Sequence, residues 1–281
     1  MITGTTTIVA HLGYPTEGFR SPPIYNAWFE RRGIDAVVVP MGVTGDDFPA
    51  VLPAVFRLRN IRGALITMPH KIATASLVDA LSPAARIAGA CNAVLLRPDR
   101  SLLGEMFDGD GFVRAALSKG RRIDGARALV VGCGGVGSAI AASLAAAGAA
   151  GIMLFDVEPS RAEALAERLR AHYPPLHIAT GANDPVGFDI IVNATPLGMH
   201  EGDPLATDAE RLSPTAFVGD VVLRAAPTSL LRAALARGSP SRYTYVAPGR
   251  CACGTVHPAY APFSSWNSRR CSSRLPNTAP S

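Results

Sequence analysis

Gly132-x-Gly134-x-x-Gly137 lies in ALVVGCGGVGSAIAASL, between a β-branched run and a run of small helix formers. Each glycine meets a separate need: a tight turn, close approach of backbone to a pyrophosphate, and close packing of helix on strand. Cys133, Gly135 and Val136 complete the loop, and the N-terminus of the helix that follows offers unpaired N–H groups and its positive dipole end to phosphates. Nineteen residues past Gly137 the next strand ends in IMLFD, at Asp156. A carboxylate there accepts hydrogen bonds from an adenosine ribose diol and repels a 2′-phosphate, which favours NAD over NADP. A second pair of groups could do chemistry. Lys71 follows ITMPH and Asp108 follows GEMF, each at the end of a strand-like run. A lysine and a carboxylate brought together at strand ends can share a proton during redox chemistry at a carbon–oxygen bond. Taken singly, the same residues also read as a surface lysine and a helix-capping aspartate. Lys71 and Lys119 are the only lysines beside 25 arginines, which gives a lysine in such a motif added interest.

The elements that must position these groups alternate along the chain. Residues 5–12 read as a strand, 23–32 as a helix, 35–40 as a strand and 46–60 as a helix in which Pro53 is a cost. A third strand (63–68) stops at Pro69, and a helix follows over 71–80. Residues 91–97 and 101–106 read as two strands joined by a turn at Pro98-Asp99-Arg100. A linking helix over 109–119 leads to strands at 128–132, 151–156, 176–180, 188–193 and 217–222, with helices at 137–147, 159–171 and 228–237. Strands spaced by helices of this length imply an α/β fold with a parallel sheet covered on both faces. The expected organisation is a substrate-binding and catalytic α/β domain over 1–108, a Rossmann-type doubly wound domain binding NAD(P) over 109–238, and an irregular tail over 239–281.

Charge sharpens the last boundary. The chain carries 27 Lys+Arg and 22 Asp+Glu, a net +5. No acid follows Asp220, and the tail holds five arginines and no lysine, so residues 1–238 are formally neutral. The excess is therefore no basic face for a nucleic acid. No apolar run is long enough for a membrane span and no secretory signal opens the chain, so a cytoplasmic protein with neither partner is expected. Of the five cysteines, Cys91 and Cys133 read as small buried residues, and Cys251-x-Cys253 lacks a second ligand pair, so no metal site is expected. The tail reads either as disordered or as a shifted reading frame.

The chain resembles the shikimate/quinate dehydrogenase family. The motifs GYPTEGFRSP (13–22), GALITMPHK (63–71), AGACNAV (88–94), GEMFDGDGF (104–112), GCGGVG (132–137), NATPLGM (193–199) and GDVV (219–222) follow the family order and spacing, over residues 5–238. The resemblance implies a cleft between two domains and reversible NAD(P)-dependent oxidation of a ring hydroxyl to a ketone. It assigns Lys71 and Asp108 as the catalytic pair, and Ser21, Thr67 and Asn92 to the substrate. Asn193, Ala194 and Thr195 match the segment beside the nicotinamide, and Val221 matches a residue packed on it. Departures fall mainly on the substrate side, where Phe19, Leu65, Ala93, Met106-Phe107 and Leu223 each stand where the family has a polar group. The expected ligand is a small cyclic hydroxy acid, with a less polar ring alcohol favoured by those changes, and the expected assembly is a monomer or homodimer. The family's glycine-rich loop, its substrate-reaching glutamine and its C-terminal helix are absent from 239–281. That leaves an alternative reading, a catalytically silent NAD-binding pseudoenzyme.

Overall fold

The β-branched run TIVAHLG forms the first strand, β1 (Thr7–Gly13), and its period of two sends alternate side chains to opposite layers. The computed structural model describes residues 2–222 and 226–239, and the backbone of 242–243. In the first domain β1 is followed by α1 (Ser21–Arg31), β2 (Ala36–Gly42), α2 (Phe48–Val55), β3 (Ile61–Ile66), α3 (Lys71–Thr74), β4 (Ala80–Leu81), α4 (Pro83–Ala88), β5 (Ala93–Leu96) and β6 (Leu102–Glu105). The sheet order is β2-β1-β3-β5-β6-β4, with β5 antiparallel to both neighbours. Ala10, Leu12 and Ile66 pack on Phe48 and Leu52 of α2. Val9, Val38 and Leu65, on the opposite face, pack on Tyr25, Trp28 and Phe29 of α1.

Three local features differ from expectation. The helix expected over 46–60 spans only Phe48–Val55, and Pro53 lies inside it without an N–H to donate. The helix expected over 71–80 is a single turn. Thr74 Oγ1 donates back to the His70 carbonyl, and Asp79 then clamps the chain to β6 through Asp79 N–Leu102 O at 3.0 Å and Leu102 N–Asp79 Oδ2 at 2.6 Å. The unexpected α4 has all its punctuation in the sequence. Ser82 Oγ caps the Ala85 N–H at 3.2 Å, Pro83 opens the helix, and Gly89 stops it at φ 63°.

The second domain runs α5 (Asp108–Ser118), β7 (Arg127–Val131), α6 (Gly135–Ala146), β8 (Gly151–Phe155), α7 (Pro159–His172), β9 (His177–Thr180), β10 (Ile190–Asn193), a 3-10 turn, β11 (Phe217–Asp220), α8 (Ser229–Ala236) and β12 (Arg242–Tyr243). Its order, β12-β11-β10-β7-β8-β9, is all parallel and is that of a doubly wound dinucleotide-binding sheet. The sheet takes in Arg242–Tyr243, past the boundary that composition placed at 238. The remaining expectations for the tail, and that for Leu223, lie outside the described residues. No helix among the described residues is long and apolar enough to cross a membrane, and none of their His, Cys, Asp or Glu form a cluster fit for a metal.

Within this domain α5 packs on α6, and two further contacts join it to the first domain on one side. A Cβ on Gly109 would lie 1.9 Å from the Ala139 carbonyl oxygen, so α5 sits directly on the backbone of α6. Ile87 of α4 enters the core formed by Phe112, Ile140, Leu144 and Leu165. Arg168 of α7 donates from Nε to the Ile87 carbonyl at 2.7 Å. On the other side the C-terminal ends of β3, β7, β8, β10 and β11 border one cleft of about 950 Å³.

Candidate active site

Lys71 opens α3 and Asp108 opens α5, so each side chain leaves from a helix start at the cleft. Lys71 Nζ lies 2.5 Å from Asp108 Oδ2, with both side chains 17 % exposed. The pair is held from behind. Asn92 Nδ2 donates to Asp108 Oδ1 at 2.6 Å, and Asn92 Oδ1 accepts from the Phe107 N–H at 3.0 Å. The Asn92 amide thus fixes both the carboxylate and the backbone turn before it. Lys71 is anchored in turn. Its carbonyl accepts from Cys91 N at 2.8 Å, and the neighbouring His70 ring donates from Nε2 to Val43 O at 2.8 Å while stacking on Phe48. Cys91 itself is a buried, inert thiol, pushed by burial up to about 12.

Of the residues assigned to substrate, Thr67 borders the cleft beside Lys71 and Asp108. Asn92 spends its amide on Asp108 and Phe107, a positioning task that the motif did not disclose. Ser21 begins α1, and no hydrogen bond joins it to this set. Two of the residues that replace polar family positions, Leu65 and Ala93, lie side by side in the first sheet, in the core beneath α1. Register places His11, Leu65, Ala93 and Glu105 in a row across β1, β3, β5 and β6, on one face of the sheet. Leu65 and Ala93 are buried there, and Phe107 packs on them. Phe19 lies on the His11 ring at 4.1 Å. His11 was missed in the sequence, where it reads as one more strand residue. It is 4 % exposed with Nδ1 unpartnered, and burial, together with the Lys71 charge, lowers it from 6.5 to about 4.

One wall of the cleft is the glycine loop. Gly132, at φ 98°, has a left-handed turn and no space for a side chain, since a Cβ would meet the Ala194 carbonyl carbon at 2.8 Å. A Cβ on Gly137 would strike the Gly132 carbonyl oxygen at 1.8 Å, so this glycine serves helix packing. At Gly134 a Cβ would meet nothing within 4 Å, and no side chain caps the helix that begins there. Open space above an uncapped helix N-terminus is what a pyrophosphate needs, so the loop fits a dinucleotide. Gly135 comes next to Lys71, a Cβ there lying 3.8 Å from the Lys71 Cβ. Gly134, Gly135, Val136, Asp156, Ala194, Thr195 and Val221 all border the cleft that holds Lys71 and Asp108. Cys133, Gly137 and Asn193 are buried behind it. Cys133 donates its N–H to Asp156 Oδ2 at 2.7 Å, and Glu158 N donates to Oδ1 at 3.0 Å, which orients the carboxylate. Burial pushes the Cys133 thiol up to about 12. Asn193 is the hub of the 193–197 loop, accepting from Thr195 N at 3.0 Å and Thr195 Oγ1 at 2.7 Å and donating to Leu197 O at 2.9 Å.

The family model described as the shikimate dehydrogenase substrate binding domain matches residues 12–94. The NADP(+) shikimate dehydrogenase of Rubrobacter xylanophilus is 41 % identical over 244 residues, 84 % of either chain. Among solved structures, shikimate 5-dehydrogenase from Listeria monocytogenes, in complex with shikimate and NAD, superposes with a TM-score of 0.78 at 30 % identity, covering 87 % of this chain and 88 % of that one. Quinate dehydrogenase from Corynebacterium glutamicum, in complex with NAD, gives 0.75 at 29 % identity, covering 84 % and 87 %. A relative this similar over most of both chains, found for a molecule that already unites a Lys–Asp pair with a dinucleotide loop in one cleft, settles the kinship: the chain belongs to the shikimate dehydrogenase family.

Proposed function

We propose that this chain is an NAD(P)-dependent oxidoreductase that reversibly oxidises a ring hydroxyl of shikimate, quinate or a related cyclic hydroxy acid to the ketone. The observation that carries this reading is the Lys71–Asp108 pair, 2.5 Å apart, opening into the cleft that the glycine loop borders. The dinucleotide, when bound, supplies or accepts the hydride. The chain supplies the rest. Gly132, Gly134, Gly135 and the start of α6 hold the phosphates, and Asp156 takes the adenosine ribose. In the ketone-reducing direction the Lys71 ammonium gives its proton to the carbonyl oxygen and stabilises the developing alkoxide. Asp108, fixed by Asn92, keeps that ammonium in place. In the oxidising direction the proton path reverses.

NAD is the preferred form of the cofactor. The Asp156 carboxylate, oriented by two backbone N–H groups, suits a free ribose diol, and the guanidinium that borders the same cleft, Arg161, pairs with Glu158 at 2.6 Å. The catalytically silent alternative gains no support, because the pair, its asparagine and the glycine loop are assembled together. The test is turnover of shikimate, quinate and related ring diols with NAD and with NADP. Turnover with NAD ahead of NADP is expected. Absence of turnover with every combination, in a protein that binds NAD, would restore the silent reading.

A further inference from the structure

Asp220 is a buried acid to which neither the motif reading nor the proposed chemistry gives a task. It ends β11, 1 % exposed, and its carboxylate is saturated with donors from three segments. Asn193 Nδ2 donates to Oδ1 at 3.1 Å, Val222 N donates to Oδ1 at 2.9 Å, and Thr228 Oγ1 donates to Oδ2 at 2.7 Å. Each donor leads to something else. Asn193 organises the loop that carries Ala194, Thr195 and Leu197 to the cleft. Val222 follows Val221, which borders the same cleft. Thr228 caps α8, accepting from Leu231 N at 3.3 Å. Among the described residues no cation pairs with this carboxylate, and burial pushes its carboxyl above the ordinary range against the opposing effect of the three bonds.

A carboxylate buried this deeply is a costly way to fill a core position. What the carboxylate provides is acceptor capacity at one point for donors that a hydrophobic residue could not join. The strands β10 and β11 run in register here, Asn193 beside Asp220, so the bond from Asn193 crosses directly between the two strand ends that carry the cleft residues.

We propose that Asp220 is the positioning residue of the nicotinamide wall: it ties the Asn193–Leu197 loop to Val221 and so sets the surface on which the nicotinamide ring lies. This rests on the reading of Ala194, Thr195 and Val221 as that wall. Asp220 touches neither cofactor nor substrate. Its removal should loosen the nicotinamide end of the cleft and leave Asp156 and the start of α6 at Gly134 in place.

Two ligands separate the two ends. NADH contacts both, whereas ADP-ribose has the adenosine and pyrophosphate but no nicotinamide. Equilibrium dissociation constants of both are measured for the wild type, Asp220→Ala and Asp220→Asn. Asp220→Ala loses the acceptors, and NADH binding should weaken by roughly tenfold, the scale of lost buried hydrogen bonds, while ADP-ribose stays within about twofold. Asp220→Asn keeps Oδ1 for Asn193 and Val222, and its amide can donate to the Thr228 hydroxyl, so NADH affinity should return most of the way. Equal weakening of both ligands by Asp220→Ala, or no weakening of either, overturns the inference. If Asp220→Ala does not fold, Asp220→Asn with Asn193→Ala decides, since the same selective loss must then appear in Asn193→Ala. A wild type that binds ADP-ribose and NADH equally well also counts against it. A wild type that binds neither overturns the cofactor reading and this inference with it.

Discussion

Replacing Asn92 by alanine removes both ends of the brace behind the Lys71–Asp108 pair. The bond from Asn92 Nδ2 to Asp108 Oδ1 is 2.6 Å, and the Phe107 N–H loses its acceptor at 3.0 Å. A hydrogen bond to a charged group contributes about 1.5–3 kcal/mol. If that energy holds Asp108, and through it Lys71, in the reactive geometry, its loss corresponds to a roughly 10- to 150-fold fall in kcat. Loss of the Phe107 N–H bond to Asn92 Oδ1 adds about 1–3 kcal/mol of destabilisation, which belongs to folding and not to the chemical step. Steady-state kinetics with saturating dinucleotide, varying shikimate or quinate, read kcat and KM separately, and a denaturant titration reads stability. The expected result is a large drop in kcat with a smaller change in KM. An unchanged kcat with a raised KM alone would refute the reasoning, because Asn92 would then be a ligand for substrate hydroxyls and no brace for Asp108.

Other outcomes follow from the same geometry. Gly109→Ala should destabilise by about 3 kcal/mol or more, because its Cβ would fall 1.9 Å from the Ala139 oxygen, on a backbone that cannot yield cheaply; a urea midpoint close to that of the wild type would contradict it. His11 titrates at about 4 when folded and near 6.5 when unfolded, so between those values the unfolded chain binds more protons. The stability it confers is full above the unfolded value and falls by about 3 kcal/mol as pH drops through that window, and His11→Leu should flatten the pH dependence of stability there. Asp156→Asn should move the NADP-to-NAD ratio of kcat/KM upward by roughly tenfold, since it removes one like charge beside the 2′-phosphate. An unchanged ratio would remove Asp156 from the cofactor account.

How far the molecule was legible in its sequence depended on the range of the interactions involved. Local signals read correctly: the strand–turn–helix at the glycine loop, the broad alternation of strands and helices, and the turn at Pro98-Asp99-Arg100, whereas Lys71 and Asp108, expected at strand ends, open α3 and α5. Two local signals were present and passed over. Ser82, Pro83 and Gly89 spell a capped helix, but the segment between them is only six residues and carries no clear apolar period. Thr74, Asp79 and the pairing of β4 with β6 end α3 early, and that pairing joins residues about twenty positions apart. The roles of Asn92, Asp220 and His11 were out of reach for the same reason. Asn92 reaches Asp108 sixteen residues on, Asn193 reaches Asp220 twenty-seven on, and His11 becomes a buried neutral imidazole only once Phe19 covers it and β3 lies beside it. The departures Phe19, Leu65 and Ala93 were visible as changes of type, and the register of the sheet shows Leu65 and Ala93 in one row with His11, the residue that Phe19 covers.

The central claim is that Lys71 handles the proton in a cleft that binds the dinucleotide independently of it. Lys71→Ala tests it most directly, with turnover and the NADH dissociation constant measured on the same preparation. Turnover should fall by about 100- to 10,000-fold, the range of a lost general acid–base group, while NADH affinity stays within about threefold. Turnover within tenfold of the wild type, with cofactor binding intact, would contradict the account.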